Sequence, residues 1–408
     1  MMSNSEKNMT VRYAFIQGFY WMVYGGISGF ASVYLLDCGF SNTRIGMLIA
    51  IAGIVSAVLQ PALAGYADQP QSPSLRRIIA LLMGSQVILG GLLLLTYRKS
   101  LLFTGLFYGC CLTILQLLTP FVNSLGMESI KQGKRLNFGV ARGMGSVGYA
   151  IVAYTLGGII SGAGAVSLPV SVMVLSVALF ISLLLFPFHK QIKELPKEAG
   201  ISGSDPVSFL KKYKRFGVVL IGCTLVYISH VLINSFNFQI VESKGGGSKE
   251  MGIAIAIAAF VEMPTLFLFS YMLKKVRCDI WFRISGIFFM LKALGSLLAP
   301  NIPAYYGIQL FQMLGWGLMT VSSVYFVNSI MDEQDAIKGQ AYMTMTYTLA
   351  SVIGALLGGT LIDHSGVTNM LMIATGSGLV GMVIMLLAAE PPKKTLHAGT
   401  IAGTELEK

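Results

Sequence analysis

The chain has 408 residues, of which 54% are hydrophobic and only 12% are charged, and its mean hydropathy is +0.71. Soluble domains carry about 25% charged residues, so this composition excludes an ordinary soluble protein. The net charge of +11 does not indicate nucleic-acid binding, because the basic residues lie mainly in alternate loops between apolar segments. Those segments are continuous runs without polar alternation, which excludes a barrel of membrane strands.

Twelve apolar segments are long enough to cross a bilayer, whose hydrocarbon core of about 30 Å requires roughly 20 apolar residues per helix. Each segment is therefore predicted to be a transmembrane helix, and the chain to be an all-α membrane protein. In chain order they are residues 13–36, 45–66, 76–97, 101–127, 138–160, 167–188, 215–240, 251–273, 280–299, 304–330, 337–361 and 368–389.

The longest polar stretch separates six of these segments from the other six, as a linker between two helix bundles would. The predicted organisation is a first bundle over 1–188, a linker over 189–213, a second bundle over 214–390 and a tail over 391–408. The lysine and arginine bias between loops predicts a multi-pass protein of the cell membrane with both termini cytoplasmic.

The two halves contain a repeated sequence. Residues 46–55 read GMLIAIAGIV and residues 252–261 read GIAIAIAAFV, and each stretch begins the second apolar segment of its half. Duplicated sets of membrane helices are typical of secondary transporters, whose halves rock around a central site. The repeat ends at a chemical difference, because Ser56 of the first copy corresponds to Glu262 of the second.

A few ionisable side chains fall inside the predicted membrane helices. They are Arg142, Glu262, Lys292, His230 and Glu128. Each charge at bilayer depth costs on the order of 2.5–3.5 kcal/mol, so such residues usually face a cavity and pair with one another. We expect Glu128 to pair with Arg142 and Glu262 with Lys292. The alternative is that these pairs only join helices and lie remote from any substrate. His230 is either a pH-sensitive group or a neutral, hydrogen-bonded side chain.

Polar and aromatic side chains recur at helical spacing and predict faces directed to a common cavity. These faces carry Gln17, Tyr20, Tyr24 and Ser28 on the first segment, with Trp21 alongside, Gln116 and Asn123 on the fourth, Tyr227, His230, Asn234 and Asn237 on the seventh, and Gln309, Gln312 and Trp316 on the tenth. Aromatic rings combined with amides suit a neutral, hydroxyl-rich ligand. The alternative is that they are interfacial aromatics and helix-to-helix hydrogen bonds.

The loop after the second segment reads Gly65-Tyr-Ala-Asp68 and is followed by Arg76 and Arg77. It resembles the G-x-x-x-D-R-x-G-R/K-R/K loop of the major facilitator superfamily, although Gln69 replaces the first arginine and additional residues precede the basic pair. The resemblance implies two pseudo-symmetric six-helix bundles. It also implies that Asp68, Arg76 and Arg77 are gating residues that stabilise one conformational state. A solvated loop aspartate is the alternative for Asp68.

The fifth segment begins Asn-Phe-Gly-Val-Ala-Arg142 and continues to Tyr149. This stretch resembles the lactose permease-like oligosaccharide:proton symporters. The resemblance implies that Arg142 pairs with Glu128 and binds sugar hydroxyls while Tyr149 stacks on the pyranose. The stretches at 262–264 and 339–341 also resemble phenylpropionate permease-like members of the superfamily.

The proton path of those symporters does not carry over to this chain. When Lys292 is aligned with their ninth-helix arginine, Gln312 and Gly315 stand where they have a histidine and a carboxylate. The candidates for proton coupling in this chain are therefore Glu262, Lys292 and His230.

The chain lacks the His-Glu-x-x-His and Gly-x-Ser-x-Gly motifs of enzymes and the phosphate-binding loop of ATP-driven pumps. We expect a monomeric, proton-coupled importer of a sugar, oligosaccharide or glycoside, driven by the proton gradient without a cofactor or metal. The alternatives are a proton-coupled drug efflux antiporter and an importer of an aromatic acid or nucleoside. The predicted substrate-binding residues are Arg142, Tyr149, Glu128, Tyr20, Tyr24, Gln116, Asn123, His230, Asn234 and Trp316.

Overall fold

The computed structural model describes residues 4–188 and 206–392, so most of the predicted linker and tail lie outside the described residues. Within these two ranges the secondary structure is helical, and no strand occurs. The helices are α1 (Asn4–Gly29), α2 (Ala31–Asp37), α3 (Asn42–Asp68), α4 (Leu75–Thr96), α5 (Leu101–Lys131), α6 (Phe138–Ala163), α7 (Ser167–Leu184), α8 (Pro206–Lys212), α9 (Lys214–Ser235), α10 (Asn237–Ser243), α11 (Ser248–Val261), α12 (Met263–Lys275), α13 (Cys278–Leu298), α14 (Ile302–Gln309), α15 (Leu318–Ile330) and α16 (Glu333–Ala388).

The described helices contain the predicted membrane crossings. Ten helical stretches are long and apolar enough to span a membrane, and α1 with α2, bent by 45°, forms an eleventh. The 56-residue α16 is interrupted at Gly366, which separates the last two predicted segments. All twelve predicted segments are thus found as helices, and the predicted all-α membrane class is confirmed.

The sequence repeat is visible in backbone conformation as well. Gly366 has φ 83° and ψ 169°, and Gly164, which ends α6, has φ 80° and ψ 168°. The two glycines occupy equivalent turns, before the last segment of each half. Positive φ is readily adopted by glycine alone, so a side chain at either turn would strain the backbone.

The described helices belong to two compact units. The first consists of Met1–Ile201 and Asn237–Ala256, and the second of Ser202–Phe236 and Ile257–Lys408. The break between Ile201 and Ser202 lies inside the predicted linker. In addition, α10 and the first part of α11, which follow the linker in sequence, pack with the first unit.

Glycines allow α6 and α11 to meet backbone against backbone within the first unit. A Cβ atom on Gly252 would lie 2.3 Å from the Ala153 carbonyl oxygen, and one on Gly157 would lie 2.7 Å from the Ser248 carbonyl oxygen. Small residues at membrane helix interfaces permit this close approach. The packing therefore excludes larger side chains at these two glycines.

We expect Gly252→Leu to destabilise the protein, because overpacking of a close contact typically costs about 1–3 kcal/mol. The measurement is thermal unfolding of the purified variant in detergent. Gly158→Leu is the matched control, since no atom lies within 4 Å of a Cβ at Gly158. Equal unfolding temperatures for the two leucine variants would show that this contact does not contribute to stability.

The short helix α8 is attached to the beginning of α16 within the second unit. Lys212 forms an ion pair with Asp335 at 2.7 Å, and the Tyr213 hydroxyl donates to the same carboxylate at 3.0 Å. These contacts lower the pKa of Asp335, with the Lys212 hydrogen bond as the main cause. The Phe209 ring also stacks on Tyr342 at 5.2 Å. The end of the predicted linker is therefore fixed to one helix of its own unit.

Candidate functional site

In the first unit, α1 and α6 pack closely along the face that carries the predicted substrate residues. A Cβ atom on Gly148 would lie 2.6 Å from the Gly18 carbonyl oxygen. One turn earlier on α6, a Cβ on Gly145 would lie 2.4 Å from Cδ1 of Trp21. The missing side chains let the helix backbones touch and let the Trp21 indole lie directly against α6.

Four predicted substrate residues gather around this indole. The Arg142 guanidinium carbon lies 4.4 Å from the Trp21 ring centroid, which is a cation–π contact. The ring centroids of Tyr24, Tyr20 and Tyr149 lie 5.1, 5.5 and 6.5 Å from that of Trp21. We call Arg142, Trp21, Tyr20, Tyr24 and Tyr149 the indole cluster. Sequence reasoning placed Trp21 beside the polar stripe but did not include it among the substrate residues.

Other predicted polar residues of this unit form hydrogen bonds between helices. Gln17 Nε2 donates to Asn123 Oδ1 at 3.1 Å, and the Tyr20 hydroxyl donates to the Leu115 carbonyl oxygen at 2.9 Å. Ser56 Oγ donates to Gln116 Oε1 at 2.6 Å. Hydrogen bonds of this kind join neighbouring membrane helices. Asn123, Gln116 and the Tyr20 hydroxyl therefore have a structural use, alongside the substrate role that was predicted.

Glu128 lies in the last turn of α5, and Arg142 lies near the start of α6. Both side chains are half-buried. Their predicted ion pair stays a prediction.

In the second unit, the tenth predicted segment departs from regular α-helix where its predicted site residues lie. A 3₁₀ turn at Leu310–Gln312 is followed by a π-helical turn at Met313–Gly317. Such irregular turns within helices often occur at functional sites. A Cβ on Gly317 would lie 3.0 Å from the Glu262 Cβ, so this widened turn packs against the segment that carries Glu262.

Glu262 itself occupies the break between α11 and α12. Pro264, two residues later, has no backbone N–H and helps to interrupt the helical hydrogen bonds. Thr265 Oγ1 donates to the Met313 carbonyl oxygen at 3.1 Å and so ties the break to the π-helical turn. The one acidic residue predicted for proton coupling therefore stands at a discontinuity of its helix.

Lys292 is almost fully buried on α13, with 3% of its surface exposed. Its Nζ donates to Gln312 Oε1 at 2.6 Å. Lys292 also interacts electrostatically with both of the other predicted coupling residues, Glu262 and His230. From sequence, Gln312 was placed on the polar face of the tenth segment and identified as a replacement for a histidine, but its contact with Lys292 was not predicted.

His230 is packed within a set of aromatic rings on α9, α13 and the π-helical turn. Its imidazole stacks on Trp316 at 4.5 Å with an interplanar angle of 4°, and Phe289 meets it edge-on at 5.2 Å. Asn234 Nδ2 lies 2.6 Å from His230 Nε2, within hydrogen-bond distance. The structure thus brings together three predicted substrate residues, namely His230, Asn234 and Trp316.

The predicted gating residues lie at one end of the first unit. Asp68 is the last residue of α3, and its side chain lies outside the described part of the chain, while Arg77 is exposed. Arg76 donates from Nη1 to the Phe186 carbonyl oxygen at 3.0 Å, just beyond α7. Its contact therefore lies within its own unit, and the predicted gating role of the three residues stays a prediction.

Arg76 belongs to a set of cations that stabilise the end of α7. Three successive carbonyl oxygens accept from three basic side chains, Leu185 from Arg12, Phe186 from Arg76 and Pro187 from Lys134. Cations at a helix C-terminus interact favourably with its dipole. In the second unit Arg283 donates in the same way to the carbonyl oxygen of Ala389, the residue that caps the end of α16.

The helical architecture, the sequence repeat and the charged groups within two helix bundles define a multi-pass membrane transporter. The family model that matches the chain, over residues 11–372, is described as the MFS_1 like family. The chain therefore belongs to this family, and the predicted major facilitator fold is confirmed. The family and the structural relatives are membrane transporters and not enzymes, as predicted. No curated protein sequence matches the chain.

Solved structures of the same fold include transporters with different cargo. The nucleoside transporter NupG is 15% identical with a TM-score of 0.76, covering 93% of this chain and 98% of NupG. A POT family peptide transporter is 10% identical with a TM-score of 0.67 and covers 93% and 96%. A bacterial homologue of the human lysosomal transporter Spinster, inward-facing and unoccupied, is 12% identical with a TM-score of 0.62 and covers 95% and 96%. At such identities the likeness establishes the fold alone.

Proposed function

We propose that this transporter is a proton-coupled importer of a small ring-shaped solute rich in hydroxyl groups, namely a sugar, oligosaccharide or glycoside, and that it works by alternating access. The observation that carries this proposal is the indole cluster, in which the Arg142 guanidinium lies 4.4 Å from the Trp21 ring and three tyrosines surround the indole. Few polar groups set among aromatic walls are typical of small-molecule sites.

The chemistry of the cluster fits a sugar. A guanidinium presents five donors in a rigid fork, which suits neighbouring hydroxyl oxygens. Aromatic rings offer flat apolar faces to the C–H surface of a pyranose, and tyrosine adds a hydroxyl at its edge. Because Arg142 is the only cation in the cluster, a neutral polyol or a single anionic group would fit it better than a cationic drug.

Proton coupling is supported by the arrangement around Glu262. A carboxylate at a helix break, coupled electrostatically to the buried ammonium of Lys292, is placed to change its protonation when the helix moves. The Lys292 ammonium is held in place by its hydrogen bond to Gln312 Oε1. In this proposal Glu262 carries the transported proton, and Lys292 and His230 influence how readily Glu262 binds and releases it.

Import of a nucleoside is the second candidate. The parallel stack of His230 on Trp316, with Asn234 beside it, is a setting in which a planar base could bind by stacking and amide hydrogen bonds. NupG, a nucleoside transporter, has the same fold. Efflux of drugs is the third candidate, since 22 methionines give the chain many adaptable apolar contacts.

Uptake into proteoliposomes under an imposed inward proton gradient distinguishes these candidates. The probes are labelled melibiose, methyl α-glucoside, uridine, 3-phenylpropionate and ethidium. Accumulation of a sugar that collapses with a protonophore supports the proposal. Gradient-driven uptake of uridine alone would replace the sugar by a nucleoside, and extrusion of ethidium would replace import by efflux.

The proposal includes the setting of the transporter. We place it in the cell membrane with both termini cytoplasmic, because the basic residues favour that orientation. It would act as a monomer with the proton gradient as its only energy source, and without a metal or cofactor.

We expect Asp68→Asn to shift the resting population toward the inward-facing state. The family resemblance implies that Asp68 stabilises the outward-facing state from a helix end, and removal of its charge weakens such an interaction. Cysteine accessibility on the two membrane faces is the measurement, with Asp363→Asn, the same change at an exposed position of α16, as the comparison variant. Labelling identical to that of the wild type on both faces would contradict the gating role of Asp68.

A further inference from the structure

We infer that Trp21 contacts the transported solute and sets its specificity, with the indole N–H donating a hydrogen bond to a solute oxygen. This inference rests on the proposed function, because it concerns the same indole cluster. It adds a residue that neither the sequence motifs nor the family resemblance assigned, and it gives the solute a specific chemical requirement.

The first observation is an unused donor. Trp21 Nε1 is buried, and no acceptor among the described residues lies within hydrogen-bond distance of it. Buried indole N–H groups usually find a partner, and an unmatched one calls for an explanation. Trp281 shows the ordinary case in this chain, since its Nε1 donates to the Met272 carbonyl oxygen at 3.3 Å.

The second observation is how the indole is held. Gly145 lies under its pyrrole edge, because a Cβ there would be 2.4 Å from Cδ1 and 3.0 Å from Nε1 of Trp21. The neighbouring Tyr24 and Tyr20 rings restrict the indole from its own helix. The indole is therefore positioned by packing, with no contribution from a hydrogen bond of its own. A donor kept rigid and unoccupied in this way is suited to a ligand.

The third observation is the position of a second donor. The Arg142 guanidinium carbon lies 4.4 Å from the same ring centroid, so the N–H and the guanidinium belong to one small region. Two donors this close suit two neighbouring acceptor oxygens next to an apolar face. Vicinal hydroxyls of a pyranose have this pattern. A carboxylate on an aromatic solute also presents two neighbouring acceptor oxygens next to an apolar face. The probes described below distinguish a sugar from such a carboxylate.

Trp21→Phe tests the donor while keeping an aromatic ring for Arg142. The experiment measures binding of melibiose and 3-phenylpropionate to purified wild type and variant by calorimetry, with Trp281→Phe as the matched control. We expect Trp21→Phe to weaken binding of the recognised probe about tenfold and Trp281→Phe to leave it unchanged. Undiminished binding by Trp21→Phe would overturn the inference.

A set of deoxy sugars separates a direct hydrogen bond from a merely structural role. If the N–H bonds one hydroxyl, the wild type loses affinity for one monodeoxy analogue of the bound sugar, whereas Trp21→Phe binds that analogue and the parent equally. Equal losses in both proteins for every analogue would show that Trp21 acts only by packing, and would overturn the inference. If the carboxylate probe binds instead, 3-phenylpropionamide takes the place of the deoxy sugars.

A second measurement keeps the test decisive if Trp21→Phe does not fold. The chain has only three tryptophans, so labelling with fluorotryptophan gives the wild type three fluorine NMR signals, and spectra of Trp281→Phe and Trp316→Phe without solute assign them. Saturating solute is expected to shift the Trp21 signal of the wild type, and an unchanged Trp21 signal in solute-bound protein would overturn the inference. If wild type binds none of the sugar, nucleoside and carboxylate probes, the proposed function itself fails. Binding by wild type without any dependence on Trp21 refutes the Trp21 inference alone.

Discussion

Glu262→Gln is expected to abolish proton-driven accumulation of solute while leaving exchange of labelled for unlabelled solute intact. The protonation of a carboxyl group inside a membrane depends on two opposing effects, namely its desolvation and the charge of a neighbouring group such as the Lys292 ammonium. Movement at the break between α11 and α12 would alter this balance and so bind or release a proton. Glutamine imitates the neutral form permanently, so the transporter can still cycle with solute bound but is uncoupled from the gradient.

The two activities are measured in the same proteoliposomes, with and without an imposed pH gradient. Glu250→Gln is the matched control, because Glu250 lies in the first turn of α11 and its carboxylate accepts a local hydrogen bond from the Gly247 backbone N–H. That variant should retain both activities. If Glu262→Gln still concentrates solute under the gradient, Glu262 is not the coupling group, and His230 and Glu128 are the next candidates.

Arg142→Lys is expected to abolish uptake without preventing folding or membrane insertion. Lysine keeps the charge, but its ammonium is a compact point charge that cannot present a planar fork of donors or stack as a guanidinium does on the Trp21 ring. The variant should therefore insert normally and bind solute at least about a hundredfold more weakly, which corresponds to roughly 2.7 kcal/mol.

Uptake and calorimetric binding are both measured for this variant. The matched control is Arg98→Lys, the same chemical change at an exposed arginine that follows α4 and pairs with Asp37 at the end of α2. It should transport normally. Ordinary solute binding by Arg142→Lys would show that the guanidinium does not contact the solute.

The fold could be predicted largely because a bilayer imposes strong rules on sequence. The lengths of the apolar stretches identified all twelve segments, and the repeat of residues 46–55 at residues 252–261 indicated the two halves. Local backbone conformation was harder to predict from the sequence. The turn at Gly366 falls between two predicted segments, but its conformation, shared with Gly164, becomes apparent only from the backbone angles.

The candidate site was predictable only in part. Helical spacing along a single segment placed Tyr20 and Tyr24 correctly on one face, and the resemblance of the fifth segment pointed to Arg142. The contact of Arg142 with Trp21 depends on how α1 and α6 pack, and this packing is set by the glycines at their interface. Residue spacing along one helix does not reveal it. Long-range contacts of this kind are not encoded by the periodicity of one helix.

Two further contacts depend on where a helix becomes irregular or ends. The 3₁₀ and π-helical turns change the register of the tenth segment, so the bond from Lys292 to Gln312 could not be derived from an assumed regular helix. Arg76 was interpreted from its loop as a gating residue. Its bond to Phe186 depends on where α7 ends, a position that sequence locates only within a few residues.

Proton movement that accompanies solute entry tests the central claim most directly. Wild-type protein is placed in liposomes that contain a pH-sensitive dye, with equal pH on both sides, and the transported sugar is then added outside. A proton-coupled importer acidifies the lumen as the sugar enters, and Glu262→Gln liposomes show no acidification when the sugar is added. Sugar entry with no change of luminal pH, or with alkalinisation, would contradict proton-coupled import.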